Sequence, residues 1–430
     1  MNIMVVGSGG REHAIVRKIS ESHRAGKLYA VPGNGGIAAL AECIDIKATD
    51  VDAITAAAVE LGDKLDLVFV ASDDPLSLGL VDKLTAKGIR AFGPYANAAI
   101  IEGSKRFSKD LMKKHNIPTA AYEIFESKDS ACAYIKEKNQ YPTVIKADGL
   151  ALGKGAIIAQ NYDEAEQAVV SMMEDKIFGN SGDRVVIEEY LTGRELTVLA
   201  FTDGTTVKPM VSSQDHKRAF DNDEGPNTGG MGAYSPSPLY TDALADVCMK
   251  TIYQPTIDAM KTEGRLFKGV IYFELMITSD GPFVIEYNAR FGDPEAQVVL
   301  PRLNTDLLDI VDAVIDEKLD EIDIKWSEKP SVCVVIASGG YPASYNKGYE
   351  INGLVEASKC IDTFVYHAGT ALADDKTVTN GGRVLCVSAT AETLDEAKEK
   401  AYTAVKKITF KKSFFRGDIG NDMHSPSIVK

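Results

Sequence analysis

EYNARFGDPE, residues 286–295, is the stretch from which the rest of the chain can be read. Its front half has the character of a strand end, where alternation at period two puts Glu286, Asn288 and Arg290 on one face. A carboxylate and a carboxamide oxygen two residues apart are hard donors suited to Mg²⁺. The guanidinium two residues further on is placed to meet the anion that such a cation holds. A metal and then an arginine on one strand face suit phosphoryl transfer. The plainer alternative is a solvated polar face of an antiparallel sheet.

A chain of 430 residues is too long for one ordinary core, which predicts three or four domains. The 62 acidic against 47 basic side chains give a net charge of −15, a surface that repels nucleic acid and anionic membranes and favours small-molecule partners. The six cysteines form no CxxC pair and mostly lie in apolar runs, as at Val332-Cys333-Val334, which suits free thiols in a reducing compartment. The first residues enter a strand with no signal peptide, and no apolar run approaches the ~20 residues of a bilayer span. These features predict a cytoplasmic protein.

The first hundred residues alternate short apolar strands (Ile3–Val6, Leu28–Val31, Leu67–Ala71, Arg90–Phe92) with amphipathic helices (His13–Ser22, Val51–Leu61, Leu76–Lys87). That pattern predicts a parallel sheet covered on both faces. A linking helix near Lys105–His115 leads to strands and helices that read as a small α+β lid. Strands at Val185–Leu191 and Glu195–Thr202 follow, then a polar loop over Ser212–Gly232, a helix at Thr241–Glu263 and the hairpin Lys268–Thr278 with Phe283–Asn288. Beyond a helix at Leu307–Lys318, the chain from about Pro330 is strand-rich with one clear helix, Leu394–Lys407. The fold class is therefore α/β and α+β multidomain. The expected division is 1–103, a linking helix 104–117, a lid 118–191, a catalytic core 192–328 and a C-terminal domain 329–430.

Gly7-Ser8-Gly9-Gly10-Arg11-Glu12-His13 invites a dinucleotide reading, but Glu12 stands where the third glycine belongs. The second strand ends in Pro32-Gly33-Asn34 without an acidic residue for a ribose. A glycine turn at a helix N-terminus with an arginine beside it remains, which suits one phosphate, with Gly33 and Asn34 lining the same crevice. IKADGLALGKG, residues 145–155, sets two lysines around a loop rich in backbone N–H groups. It is not a Walker A motif, yet it could close over a triphosphate, with Lys146 fixed on a strand and Lys154 on the loop. In EEYLTGRE, residues 188–195, a strand entering a linker can offer backbone groups to an adenine edge and Glu195 to ribose hydroxyls. Residues 212–233, SSQDHKRAFDNDEGPNTGGMGA, are a long polar loop of the kind that is usually functional. Asp215, His216, Lys217 and Arg218 there could hold a small zwitterion; His216 reads as a surface residue with no proton-transfer role.

Taken together and in order, GSGGREHA, PGN, SKRFSKD, KADGLALGKG, SQDHKR, GPNTGGMGAYSP, EYNARFGDPE, NGGRVLCV and the terminal RGDIG resemble the motifs of the phosphoribosylamine–glycine ligase family, ATP-grasp enzymes of purine synthesis. The resemblance spans nearly the whole chain. It implies ligation of glycine to 5-phosphoribosylamine through glycyl phosphate, with ATP as co-substrate and Mg²⁺ or Mn²⁺ as metal, by a monomer. It implies that Lys105, Lys146, Gly153, Lys154 and Gly155 contact ATP, with Glu188 and Leu191 at the adenine and Glu195 at the ribose. Arg290, Lys146 and Asp293 are the catalytic candidates. Gly9, Gly10, Arg11, Glu12, Gly33, Asn34 and Asp73 are the candidates for phosphoribosylamine, and Asp215, Lys217, Arg218, Gly292, Asp293 and Pro294 for the remaining substrate contacts. Glu286 and Asn288 are implied metal ligands. Two departures stand out: Ala71-Ser72-Asp73 where many members read Gly-Pro-Glu, and Glu274 where many have glycine. The rivals are another ATP-grasp carboxylate–amine ligase and a non-catalytic nucleotide-binding regulator.

Glu274 becomes a third metal ligand if it faces Glu286 across the hairpin; the alternative is a structural carboxylate paired with a nearby cation. A two-residue Asp280-Gly281 turn would put it on the opposite face. A three-residue Ser279–Gly281 loop, with Gly281 in a left-handed bulge, would put it opposite Glu286, and this second register is the expected one.

Overall fold

The structure is a computed structural model and describes residues 1–151 and 155–421. Its N-terminal sheet is parallel, in the order Glu42–Cys43, Leu28–Pro32, Ile3–Gly7, Leu67–Val70, Ala91–Phe92. Ile3–Gly7 is buried throughout, as a strand covered on both faces must be. The helix Val51–Leu61 starts where Asp50 accepts a hydrogen bond from the Ala53 amide. The helix expected over Leu76–Lys87 is broken into Asp73–Ser77 and Leu80–Ala86, because Gly79 takes the left-handed conformation (φ +80°) between them.

The lid is a four-stranded sheet in the order Tyr122–Phe125, Val185–Glu189, Thr143–Ala147, Ala156–Ala159. It is backed by the helices Lys128–Lys138 and Tyr162–Met173, capped by Ser127 and Asn161. Ile145, Val169, Met172, Val185 and Ile187 form part of a hydrophobic cluster belonging to the lid alone. The N-terminal sheet and the catalytic core instead share their interiors: Val6 and Val70 belong to one cluster with Phe273 and Tyr287. The core and the N-terminal region thus form a common base, and the lid packs as a separate body beside it.

The core sheet runs Val207–Pro209, Arg194–Thr202, Gly269–Thr278, Gly281–Asn288. The expected long loop over Ser212–Gly232 is corrected. Gln214–Asp215 and Gly232–Ser235 are strands at one side of the C-terminal sheet, which continues through Ser331–Ser338, Arg383–Thr390 and Thr363–His367. Between them Arg218–Phe220 and Glu224–Asn227 make a small hairpin. The polar, Gly-rich composition hid these strands because their partners are distant in sequence. The expected division at residue 329 also cuts this sheet, since two of its strands come from before that point. The helical stretch before the hairpin contains a π-helical turn, Met249–Tyr253, between Asp242–Cys248 and Gln254–Thr262. Among the described residues, no helix is long and apolar enough to cross a membrane.

Candidate active site

The core hairpin, the lid, the N-terminal region and the C-terminal sheet enclose a cleft of about 1160 Å³. Arg11, Asp73, Lys105, Lys146, Gly155, Glu188, Leu191, Glu195, Asp215, Lys217, Arg218, Glu274, Glu286, Asn288, Arg290 and Asp293 all line it. Gly153 and Lys154 lie outside the described residues.

On the hairpin, Glu286 faces the Lys105 ammonium at 4.0 Å. Burial alone would raise the Glu286 carboxyl, but the Lys105, Lys217 and Lys146 ammoniums override it and hold it below its usual range. Asn288 Oδ1 accepts from Arg290 Nη2 at 3.2 Å, and that guanidinium pairs with Glu102 at 2.8 Å and Asp73 at 4.0 Å. Tyr287 points the other way, its hydroxyl 3.0 Å from Thr256 Oγ1. Glu102 is buried and also accepts from the Ala289 amide at 2.7 Å. Burial pushes its carboxyl up to about 7; Arg290 opposes this and Asp73 adds to it.

Glu274 does pair with Glu286, but not by the expected route. Thr278 pairs with Gly281, so the turn is the two residues Ser279-Asp280, and the register shifts at a bulge where Ile285 is left over between Val284 and Glu286. The Glu274 carboxylate is paired with the Lys217 ammonium. Lys217 also faces Glu195 at 3.3 Å. Burial would lower the Lys217 ammonium, yet Glu195, Glu286 and Asp215 hold it above its usual range.

Beside Lys217, Asp215 and Glu295 bring two buried carboxyl groups together. Glu295 Oε1 accepts from the Tyr272 hydroxyl at 3.0 Å, while Asp215 Oδ1 has no hydrogen-bond partner among the described residues. Burial first, and then Glu295, push the Asp215 carboxyl well above its ordinary range; burial also raises Glu295. Lys217 acts on both carboxyls and Arg383 on Asp215, but burial outweighs them.

The glycine turn is more occupied than its sequence suggests. The Gly9 amide donates to Glu12 Oε2 at 2.6 Å, and the Arg11 amide to Asp293 Oδ2 at 3.4 Å. Glu12 is buried and also accepts from Arg11 Nε and Ser72 Oγ, so it holds the turn together. The cationic element presented to the cleft is the Arg11 side chain. Asn34 donates to the Ser8 and His367 carbonyls and accepts from Gly36 and Ile37, joining the turn to the C-terminal sheet. Gly33 ends its strand in the left-handed conformation (φ +74°). Gly10 allows close packing, since a Cβ there would meet Gln297 at 2.6 Å, and one on Gly292 would meet Glu295 at 2.2 Å. Pro294 lies against Gly230. Arg218 donates to the Gly225 carbonyl within its hairpin. His216 is buried rather than on the surface, and its Nε2 accepts from the Gly420 amide at 3.3 Å.

Models of the phosphoribosylglycinamide synthetase N domain, ATP-grasp (A) domain and C domain match residues 1–102, 103–296 and 331–422. The chain belongs to the phosphoribosylamine–glycine ligase family. The phosphoribosylamine–glycine ligase of Halalkalibacterium halodurans is 49% identical over 421 residues, covering 98% of this chain and 97% of that protein. The trifunctional purine biosynthetic protein adenosine-3 of Gallus gallus is 48% identical, over 97% of this chain and 42% of that protein. The crystal structure of the Thermotoga maritima phosphoribosylamine–glycine ligase superposes with a TM-score of 0.85 at 30% identity, covering 97% of this chain and all of that one. Like the family, the chain is an ATP-dependent ligase, and the ATP-grasp fold works with ATP and a divalent cation.

Three cleft groups of this family member, Glu102, Glu295 and Arg383, and the buried Lys109 beside the cleft escaped the sequence reading. Lys109 lies four residues after Lys105, so helical spacing could have flagged it. Glu295 ends the quoted EYNARFGDPE run, and Arg383 lies inside NGGRVLCV. Arg383 donates to the Gly230 and Asp293 carbonyls, at 3.3 and 2.7 Å, and to Gly229, tying three motifs together. Glu102 carried no local signal, because its partners are nearly two hundred residues away.

Proposed function

We propose that this chain ligates glycine to 5-phosphoribosylamine, giving glycinamide ribonucleotide, ADP and phosphate through a glycyl phosphate intermediate. The observation that carries the proposal is Arg290, which lies between the phosphoryl-transfer strand and the N-terminal domain. It touches Asn288 on one side and faces Glu102 and Asp73 on the other.

The donor set fits a divalent cation. Glu286 is not consumed by a close ion pair, and Asn288 Oδ1 has an arginine contact at 3.2 Å. Among the described residues no cluster of three His, Cys, Asp or Glu groups could hold a metal. Two protein oxygens, with phosphate oxygens and water completing the shell, suit Mg²⁺ or Mn²⁺. The ion would neutralise charge on the β- and γ-phosphates.

Lys105 and Lys146 are assigned to the ATP phosphates, and Glu188, Leu191 and Glu195 to the nucleoside side. Glycine's ammonium is assigned to Asp215 and Glu295, and its carboxylate to the side of Arg290. A carboxylate oxygen of glycine attacks the γ-phosphorus and ADP leaves with the bridging electron pair. Arg290 stabilises the charge on the moving phosphoryl group. The phosphoribosylamine nitrogen, entering past Arg11 and Asp73, then attacks the acyl carbon. The C–O bond to phosphate breaks, phosphate leaves, and the nitrogen loses a proton. Enclosure by the lid keeps the acyl phosphate from water.

The enzyme is proposed to work as a monomer. Its six free cysteines suit the reducing cytoplasm. The test is ADP release with glycine, with phosphoribosylamine generated in situ, and with both. Only the pair should give sustained ADP, with one phosphate per ligated product. Equal turnover with other amino acids or with bicarbonate refutes the glycine assignment.

A further inference from the structure

Lys109 is 2% exposed and does not line the cleft, yet it is joined to Glu188, which does. Its ammonium donates to Thr119 Oγ1 at 2.8 Å and pairs with Glu188 Oε2 at 2.9 Å. Lys146 reaches the same Glu188 oxygen at 3.0 Å and the Ile285 carbonyl at 3.3 Å. Thr119 in turn donates to the Val284 carbonyl at 2.7 Å, so Lys109 is fixed between the lid strand Val185–Glu189 and the core hairpin. Two ammoniums therefore share one buried carboxylate, and the trio carries one net positive charge.

We propose that Lys109 is a charge-balancing residue of the nucleotide site: it neutralises Glu188 so that Lys146 keeps its positive charge for the triphosphate. The inference rests on the assignment of Lys146 to ATP. Without Lys109, Lys146 and Glu188 are a closed neutral pair that offers an anion no net charge. Lys109 touches no reacting atom, so its effect passes through Glu188 and Lys146. The same geometry makes the balance sensitive to pH. Burial lowers the Lys109 ammonium to about 8, with Glu188 and Glu286 opposing and Lys146 adding to the shift. The other group packed on it is the Tyr122 ring, whose hydroxyl donates to Asp110. As pH rises through about 8, Lys109 loses its proton and the trio loses its charge.

The test uses the full chain and two probes, MgATP and magnesium tripolyphosphate. The second has no base, so it does not report any contact between Glu188 and adenine. Lys109→Met should weaken tripolyphosphate about tenfold, the effect of one charge acting over roughly 10 Å at an effective dielectric of about 20. Lys109→Arg should bind like the parent, and should hold its affinity at about pH 9, where the parent's falls, because a guanidinium stays charged. The double variant Lys109→Met/Glu188→Gln again has one net charge, and should recover tripolyphosphate affinity to within about threefold. It also leaves no unpaired buried carboxylate, so it carries the test if Lys109→Met alone does not fold. Parent-like binding by Lys109→Met, or loss of tripolyphosphate binding in the folded double variant, overturns the inference. A parent that binds neither probe overturns the ATP assignment itself, and the inference with it.

Discussion

Replacing Arg290 with Met should uncouple two effects that the structure assigns to one guanidinium. The first is on chemistry. Loss of one preorganised cation at a transferring phosphoryl group typically costs ~10²–10³ in rate, so single-turnover ADP release should fall by about that factor while ATP affinity stays near the parent's. The second is on stability, and it runs through Glu102, which faces Arg290 at 2.8 Å. An unperturbed glutamate carboxyl titrates near 4.5, and Glu102 is raised to about 7 in the fold. A carboxyl raised in this way costs stability as pH rises: between 4.5 and 7 the unfolded chain has released a proton that the folded chain still holds. That loss is about 1.4 kcal/mol per pH unit, about 3 kcal/mol in all, and it levels off above pH 7 in the parent. Without Arg290 the buried Glu102 stays protonated to higher pH, so in the variant the decline continues. The gap between parent and variant should be nearly constant below pH 7 and should widen by about 1.4 kcal/mol for each unit above it. Urea unfolding of both proteins at intervals from pH 6 to 9 measures this directly. A gap of the same size at both ends refutes the coupling of Arg290 to Glu102. Normal turnover with weakened ATP binding reassigns Arg290 to ground-state binding.

Asp215→Asn should raise the glycine KM by roughly 10- to 100-fold, the worth of one charge-assisted hydrogen bond, with little change for ATP. Because burial and then Glu295 raise the Asp215 carboxyl, the substitution should also raise the thermal midpoint of the free enzyme as pH rises above the ordinary carboxylate range; an unchanged glycine KM moves the ammonium site elsewhere. Glu274→Gln should leave the Mg²⁺ dependence of activity within about twofold of the parent, since its carboxylate partners Lys217, whereas a shift of about tenfold or more marks it as a metal ligand after all.

Local pattern was enough to read the parallel N-terminal sheet, the lid and the core hairpin. Strands such as Ile3–Gly7 are continuous apolar runs, and helices such as Val51–Leu61 carry their caps in adjacent residues. The motif spacing also brought Glu286, Asn288 and Arg290 to one cleft with Lys105 and Lys146, because alternation along a strand needs no knowledge of distant contacts. Tertiary structure alone decided the rest. The stretch from Gln214 to Ser235 joins the C-terminal sheet through a strand about a hundred residues later. Glu274 comes to face Glu286 through a bulge at Ile285 that no local residue preference announces, and then spends its charge on Lys217. Glu12 closes its own turn, and Glu102 and Lys109 act through partners on other elements. Such pairings depend on which charged groups folding buries together. Burial makes an unpaired charge costly, so each buried ion is fixed by its neighbours in space, and those neighbours are not written beside it in the chain.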